Sequence, residues 1–206
     1  MEKQVDKSSY NFKKYCQIER FNSYWHQLNE VLKLKPSSVL EIGVGDKVFA
    51  NYLKDNTDVR YTSADIAEDL KPDVITDILN LSFEDNSFDV VCAFEVLEHL
   101  PFDQFVQALK ELRRVARDYV VISLPHWGRH FSILIRLPFF KKIRWQKKLN
   151  FMSIKHEFNG QHYWEIGKKG FGIQKIKDKI GDSGLEIEKD FIAFESPYHH
   201  FFILKK

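Results

Sequence analysis

The stretch Val39-Leu40-Glu41-Ile42-Gly43-Val44-Gly45-Asp46 constrains this chain more than any other. Apolar and β-favouring residues lead into two glycines, and an apolar periodic segment (Val48, Phe49, Tyr52, Leu53) follows, which reads as a buried strand, a tight turn and a helix start. Glycine at 43 and 45 lets the backbone take positive φ and approach a ligand closely. A dinucleotide fingerprint needs a further glycine three positions after Gly45, where Val48 stands, and this counts against a pyrophosphate on the helix. An acid at the end of a buried strand is costly without a partner. Glu41 therefore has two readings, acceptor for the turn's own N–H groups or counter-ion for the ammonium of a ligand.

The same strand-helix-strand rhythm continues. Val59 to Asp65 alternates apolar and polar positions and ends in an acid twenty positions after Gly45, the distance at which a second strand brings a carboxylate to ribose hydroxyls. Asp73-Val74-Ile75-Thr76-Asp77 reads as a short strand ending in a third acid. Phe88 to Phe94 is almost wholly apolar, as a central strand covered on both faces must be. Phe102, Phe105, Val106, Leu109, Leu112 and Val115 then recur at helix spacing, and Tyr119 to Leu124 forms the next strand. Parallel neighbours need crossover connections, so the order means a parallel sheet wound with helices on both faces. An amphipathic helix carrying Phe21, Trp25, Leu28 and Leu32 on one face leads in, within a helical segment at 10–35. A helix from Phe171 to Ile180 and two strands, Leu185 to Glu195 and His199 to Leu204, close the chain as an antiparallel hairpin.

Length and charge narrow the class. At 206 residues the chain reads as one domain, 1–206, and 31 Lys and Arg against 29 Asp and Glu leave a net charge of only +2, so no nucleic-acid partner is expected. Cys16 and Cys92 have neither pairing nor metal-ligand spacing, and the first ten residues lack an apolar signal core, which together favour a reducing, cytoplasmic setting.

Taken together, Glu41-Ile-Gly43-Val-Gly45, Asp65, the segment from Thr76-Asp77 to Asp89, and Phe94-Glu-Val-Leu-Glu-His-Leu-Pro101 resemble the class I S-adenosylmethionine-dependent methyltransferases of the small-molecule branch. The resemblance implies an α/β fold, a doubly wound, mostly parallel seven-stranded sheet (Rossmann-like) ending in an antiparallel hairpin. It also implies S-adenosyl-L-methionine as cofactor. The turn at Glu41, Gly43 and Gly45 would cradle the methionine part, Asp65 with Ile66 the ribose, Asp77 with Ile78 the adenine, and Phe94 the methionyl side. Lys47 stands where the family commonly carries a third glycine. The cofactor has a sulfonium and an ammonium but no phosphate, which suits three strand-end acids better than a lysine-bearing phosphate loop.

From Tyr119 through His156 there is no acid, while Arg129, Arg136, Lys141, Lys142, Arg144, Lys147 and Lys148 interleave with Phe131, Ile133, Leu134, Ile135, Phe139, Phe140 and Trp145. Residues 126–165 read as a basic insertion split at Pro138. It is either a lid over the substrate, a basic amphipathic surface for lipid, or a helical excursion packed on the domain. The lid is the favoured reading, with the phenylalanines turned inward over the cavity and membrane contact ranked below it. Histidines cluster in the same half, and without an evident carboxylate set no metal is expected. His126 and His162 are the candidate bases. The expected reaction is methyl transfer to an oxygen or nitrogen of a small molecule or glycan; the alternative is a non-catalytic cofactor-binding module that regulates a partner or sits at a membrane.

Overall fold

The computed structural model describes residues 7–139, 141–149 and 154–206. After a short helix α1 (Phe12–Tyr15) come α2 (Ile18–Lys33), β1 (Ser38–Ile42), α3 (Val48–Asn56), β2 (Arg60–Asp65), β3 (Val74–Ile75) and β4 (Phe88–Phe94). The chain continues through α4 (Phe105–Val115), β5 (Ala116–Pro125), β6 (Arg129–Ile135), β7 (Ile143–Leu149), α5 (Ile173–Asp182), β8 (Glu186–Ile192) and β9 (His199–Lys205). Seven strands form one sheet in the order β3-β2-β1-β4-β5-β9-β8, with β9 antiparallel to both its neighbours and the other pairings parallel. The winding reverses between β1 and β4, the point where α/β sheets open a crevice at their strand ends.

Both faces of the sheet are buried, as the unbroken apolar run of β4 requires. On one face Leu40, Ile42, Val91, Ala93, Val120 and Ile122 pack with residues of α4 and α5. On the other, Val39, Val90, Cys92, Val121, Phe201 and Ile203 meet Val31 of α2 and Phe49 and Leu53 of α3. No helix among the described residues is long and apolar enough to cross a membrane.

Three expectations are corrected. Helix α2 forms where predicted, but of its apolar stripe only Leu28 and Leu32 pack against the core, while Phe21 and Trp25 are 49% and 59% exposed. The buried side runs through Tyr24, Gln27 and Val31. Three of its polar members have partners, Tyr24 on Asp46, His26 on Glu195 and Glu30 on Lys189, which offsets much of the cost of turning a polar face inward. The third strand is only Val74–Ile75; Asp77 lies beyond it, in a turn where Leu79 N–H donates to its carboxylate at 2.9 Å.

The basic insertion holds no helix among its described residues. β6 and β7 form an antiparallel hairpin with Pro138 in its turn. Alternate residues decide which way it faces. Arg144, Gln146 and Lys148 reach the body, onto Glu195, the Ile192 carbonyl and the His126 carbonyl. The opposite face carries Phe131, Ile133, Ile135, Ile143 and Trp145, between 40% and 57% exposed. The apolar side chains are therefore turned outward, because the basic residues found acceptors on the domain. Phe140 and residues 150–153 lie outside the described residues.

Candidate active site

At the carboxyl end of β1, Gly43 has φ +84° and its N–H donates to the Ala64 carbonyl at 2.9 Å. A Cβ there would stand 2.4 Å from Val96 Cγ2, so glycine is required both by the backbone and by its neighbour. Gly45 (φ +49°) and Lys47 (φ +66°) continue the left-handed path. Lys47 thus adopts the conformation that a third glycine would take freely, tied by its Nζ to the Lys71 carbonyl at 2.9 Å.

The strand-end acids meet this turn. The Asp65 carboxylate accepts Val44 N–H at 2.9 Å and Ala67 N–H at 2.8 Å, joining the β1 turn to the end of β2. Burial still raises its proton affinity above the ordinary carboxylate range, the backbone donors opposing it. Glu41 is buried and accepts the Tyr61 hydroxyl. Burial pushes its pKa up to about 8, with the Tyr61 bond working against the shift. Phe94 packs edge-on against Phe49 at 5.3 Å, Ile66 is half-buried beside Asp65, and Ile78 is in the core. Asp77 stands at the β3 end, apart from the glycine turn.

The N-terminal residues lie over this turn, which sequence periodicity did not announce. Tyr24 Oη donates to Asp46 at 2.6 Å, Tyr10 and Tyr15 meet edge to face at 4.8 Å, and the Arg20 guanidinium sits 4.6 Å above Tyr15. The space left between them and Glu41, Gly43 and Gly45 is about 40 Å³. Ligand pockets run to about 300–1,000 Å³. The donor and acceptor set therefore suits a ligand with an ammonium and a ribose, while the volume suits one only after this segment moves outward.

Beside it opens a cleft of about 650 Å³ whose walls include Tyr15, Arg20, His126, Lys148, Tyr198 and His199. His126 is buried at the end of β5, its Nδ1 2.9 Å from Nδ1 of His200, whose Nε2 is 3.0 Å from Asp190 Oδ2. Burial, with His200 and Lys148 adding to it, lowers His126 to about 3, so the ring is neutral at ordinary pH. Burial likewise lowers Lys148 to about 8.

The second predicted base is elsewhere. His162 gives its Nδ1 to Glu165 at 3.0 Å, and the same carboxylate oxygen accepts Tyr198 Oη at 3.0 Å. The two predicted histidines are thus not in contact; Tyr198, whose carbonyl accepts His126 N–H at 2.7 Å, stands between their environments. Around His162 lie groups that sequence reasoning passed over: Glu95, Glu98, His99 and Glu165. Glu95 has φ +54° and accepts Ser123 Oγ at 2.8 Å, and burial, opposed first by Arg20, holds its carboxyl near 7. The signal was present in Phe94-Glu-Val-Leu-Glu-His, of which only Phe94 was assigned a role.

Comparison with known proteins bears on the fold. Residues 40–122 match the methyltransferase domain family. An uncharacterized protein of Methanocaldococcus jannaschii is 36% identical over 84 residues, 39% of this chain; the chain spans about a third, 36%, of that relative's length. Among solved structures, the 1,6-didemethyltoxoflavin-N1-methyltransferase of Burkholderia thailandensis superposes with a TM-score of 0.65 at 15% identity, covering 97% of this chain and 84% of its own. The magnesium protoporphyrin IX methyltransferase of Synechocystis gives 0.64 at 15% identity, covering 100% and 90%. A methyltransferase of Aquifex aeolicus gives 0.60 at 16%, covering 98% of each. Residues 40–122 thus match a methyltransferase domain, and the fold around them is the one shared by the S-adenosylmethionine-dependent methyltransferase structures on which the chain superposes.

Proposed function

We propose that this protein transfers a methyl group from S-adenosyl-L-methionine to an oxygen or nitrogen of a small molecule or glycan. One observation carries the reading: Glu41, the Gly43–Gly45 turn and Asp65 converge beside a cleft of about 650 Å³ that a buried, neutral histidine, His126, helps to line. Two of the structural neighbours are named for small heteroaromatic or porphyrin acceptors, which favours a small-molecule acceptor for this chain as well.

When bound, the cofactor supplies an electrophilic methyl group on a sulfonium. In this reading Glu41, in its ionised form, would offset the ammonium, and Asp65 would accept from the ribose hydroxyls. The walls of the cleft orient the acceptor, and orientation alone is worth about 7–11 kcal/mol. His126 takes the proton when the acceptor is a hydroxyl or an ammonium. A neutral His126 on the cleft wall, backed by His200 and Asp190, favours chemistry over the alternative of a regulatory binding module, because a module that only binds has no use for a neutral base there.

The hairpin favours a specific source for the acceptor. Its outward face of Phe131, Ile133, Ile135, Ile143 and Trp145 is rimmed by Arg129, Lys141, Lys142 and Lys147, a match for an anionic lipid surface. A lipid-linked acceptor would enter the cleft from there.

The decisive measurement is transfer of a labelled methyl group from the cofactor to material in a host extract, with the product identified by mass. S-adenosylhomocysteine at a hundred times its dissociation constant should stabilise the fold by about 2.7 kcal/mol, with ATP and NAD doing much less. A chain that ignores S-adenosylhomocysteine but responds to NAD is not a methyltransferase.

A further inference from the structure

We propose that Glu98, His99 and His162 form a binding site for a single divalent transition-metal ion beside the cleft. One ligand atom from each of the three lies within 4.8 Å of the others. The expectation from histidine spacing was that no metal site exists, since the carboxylate comes from a different part of the chain.

The first observation is Glu98 itself. Its side chain is wholly buried, and among the described residues neither carboxylate oxygen has a hydrogen-bond partner. A buried carboxylate without partners is costly, and such a group in a native structure calls for an explanation. Its Oε1 points toward Nε2 of His162, 3.9 Å away, too long for a hydrogen bond and wide enough for an ion to bridge.

The second observation is how the two imidazoles are held. His99 Nδ1 is 3.1 Å from the Gln161 carbonyl, and His162 Nδ1 is 3.0 Å from Glu165 Oε1. A carbonyl and a carboxylate accept only, so each ring must carry its proton on Nδ1 and present Nε2 as the lone-pair atom. This is the arrangement by which metal-ligating histidines are oriented. The two rings stand edge to face, 5.0 Å between centroids.

The third is the scaffold. Tyr163 N–H donates to the Glu98 carbonyl at 2.9 Å, and Trp164 Nε1 donates to the Leu100 carbonyl at 3.1 Å, with the indole fully buried against Phe102 and Phe105. The segment bearing His162 is thereby pinned to the segment bearing Glu98 and His99 on both sides of the cluster. Sites held by packing in this way keep their geometry without the ligand.

Two imidazole nitrogens and one carboxylate oxygen suit zinc, cobalt, manganese or ferrous ions better than magnesium or calcium. Bonds of about 2.0–2.2 Å would draw the three atoms in by roughly an ångström. Three protein ligands leave positions for water or for an oxygen of a bound acceptor. Tyr198, on the cleft wall, shares Glu165 with His162, which places the ion just behind that wall.

The test uses the full-length chain without a polyhistidine tag, stripped with EDTA, then dialysed against micromolar Zn²⁺ and, separately, titrated with Co²⁺. The expected result is about one zinc per chain and visible Co²⁺ absorption bands. Glu98→Gln and His162→Gln should each lose at least tenfold in affinity, with Glu165→Gln showing a loss within the roughly 10–100-fold range of outer-shell partners. In EDTA, Glu98→Gln should melt no lower than the natural chain, because it removes a buried carboxylate without partners. A natural chain that retains far less than one zinc, or variants that bind as it does, would overturn the proposal. Melting shifts with S-adenosylhomocysteine, measured on the same samples, report on the methyltransferase reading separately, so either can fail alone.

Discussion

The Nδ1 atoms of His126 and His200 stand 2.9 Å apart, so one ring must donate there and the other accept. Asp190 decides which. Its carboxylate takes the proton of His200 Nε2, so the neutral His200 accepts at Nδ1, His126 donates from Nδ1, and the lone pair of His126 lies on Nε2. For a hydroxyl acceptor, His126→Gln should lower kcat by roughly 10²–10⁴ with S-adenosylhomocysteine affinity nearly unchanged. Asp190→Asn should give a smaller loss in the same direction. With His126 held down to about 3, its protonation should place no acid limb on kcat above pH 5. A change under about fivefold in His126→Gln would leave the rate to proximity alone.

Gly43 is the least replaceable position of the turn. Gly43→Ala places a Cβ at positive φ and 2.4 Å from Val96 Cγ2. The left-handed cost of about 1–2 kcal/mol and the overpacking cost of about 1–3 kcal/mol act together. The melting temperature should fall by roughly 10 °C, at about 2–4 °C per kcal/mol for a chain of this size. Adding Val96→Ala should recover the packing part only, and full recovery would show that the backbone is not strained.

Asp65 carries structure as well as ligand affinity. From sequence, Asp65→Ala should weaken cofactor binding and leave the fold intact. Its two oxygens in fact hold Val44 and Ala67 N–H, so the substitution strips two backbone donors of their acceptor. A stability loss of about 1–3 kcal/mol is expected in denaturant titration, besides the weaker binding of S-adenosylhomocysteine.

Glu41 sets a pH dependence whose sign follows from its raised pKa. The folded chain keeps the proton up to about pH 8, while the unfolded chain releases it near the ordinary carboxylate value. Its contribution is fully present below that ordinary value and is lost as pH rises through 8. Stability measured from pH 5 to 9 should therefore fall less steeply in Glu41→Gln than in the natural chain. Identical slopes would mean that Glu41 is ionised in the fold.

The outward face of the β6–β7 hairpin predicts binding to vesicles of anionic lipid. Each basic residue near such a surface contributes about 1 kcal/mol, and salt screens it. Co-sedimentation should be strong at low salt and weak at high salt, and the triple variant Lys141→Glu, Lys142→Glu, Lys147→Glu, which leaves the Arg144–Glu195 pair intact, should abolish it. Failure to sediment at low salt would return the hairpin to the role of a lid alone.

The main sheet was legible because its strands are bounded by apolar runs and acids that no other element tolerates. The run Phe88–Phe94 is buried almost without interruption, as its composition demanded. The hairpin was misread although Phe131, Ile133 and Ile135 alternate at strand spacing, since the residues between them, Ser132 and Leu134, blur the polarity of the second face. Helix α2 was placed correctly, but its apolar stripe is only half used, Leu28 and Leu32 packing on the core while Phe21 and Trp25 stay exposed, because periodicity shows a stripe and not how far a neighbour covers it. Glu98 and His162 are 64 positions apart in sequence, and it takes tertiary contacts, among them the Tyr163, Trp164 and His99 hydrogen bonds, to bring their segments together.

The tyrosines and arginine over the glycine turn have a kinetic consequence. With about 40 Å³ left beneath Tyr15, Arg20 and Tyr24, a ligand at Glu41 and Asp65 competes with the chain's own side chains for the same volume. If binding requires this segment to lift, the apparent dissociation constant should equal the intrinsic one divided by the lifted fraction. The observed association rate should then level off at high ligand concentration at the opening rate of the segment, a plateau that stopped-flow binding of S-adenosylhomocysteine would read directly.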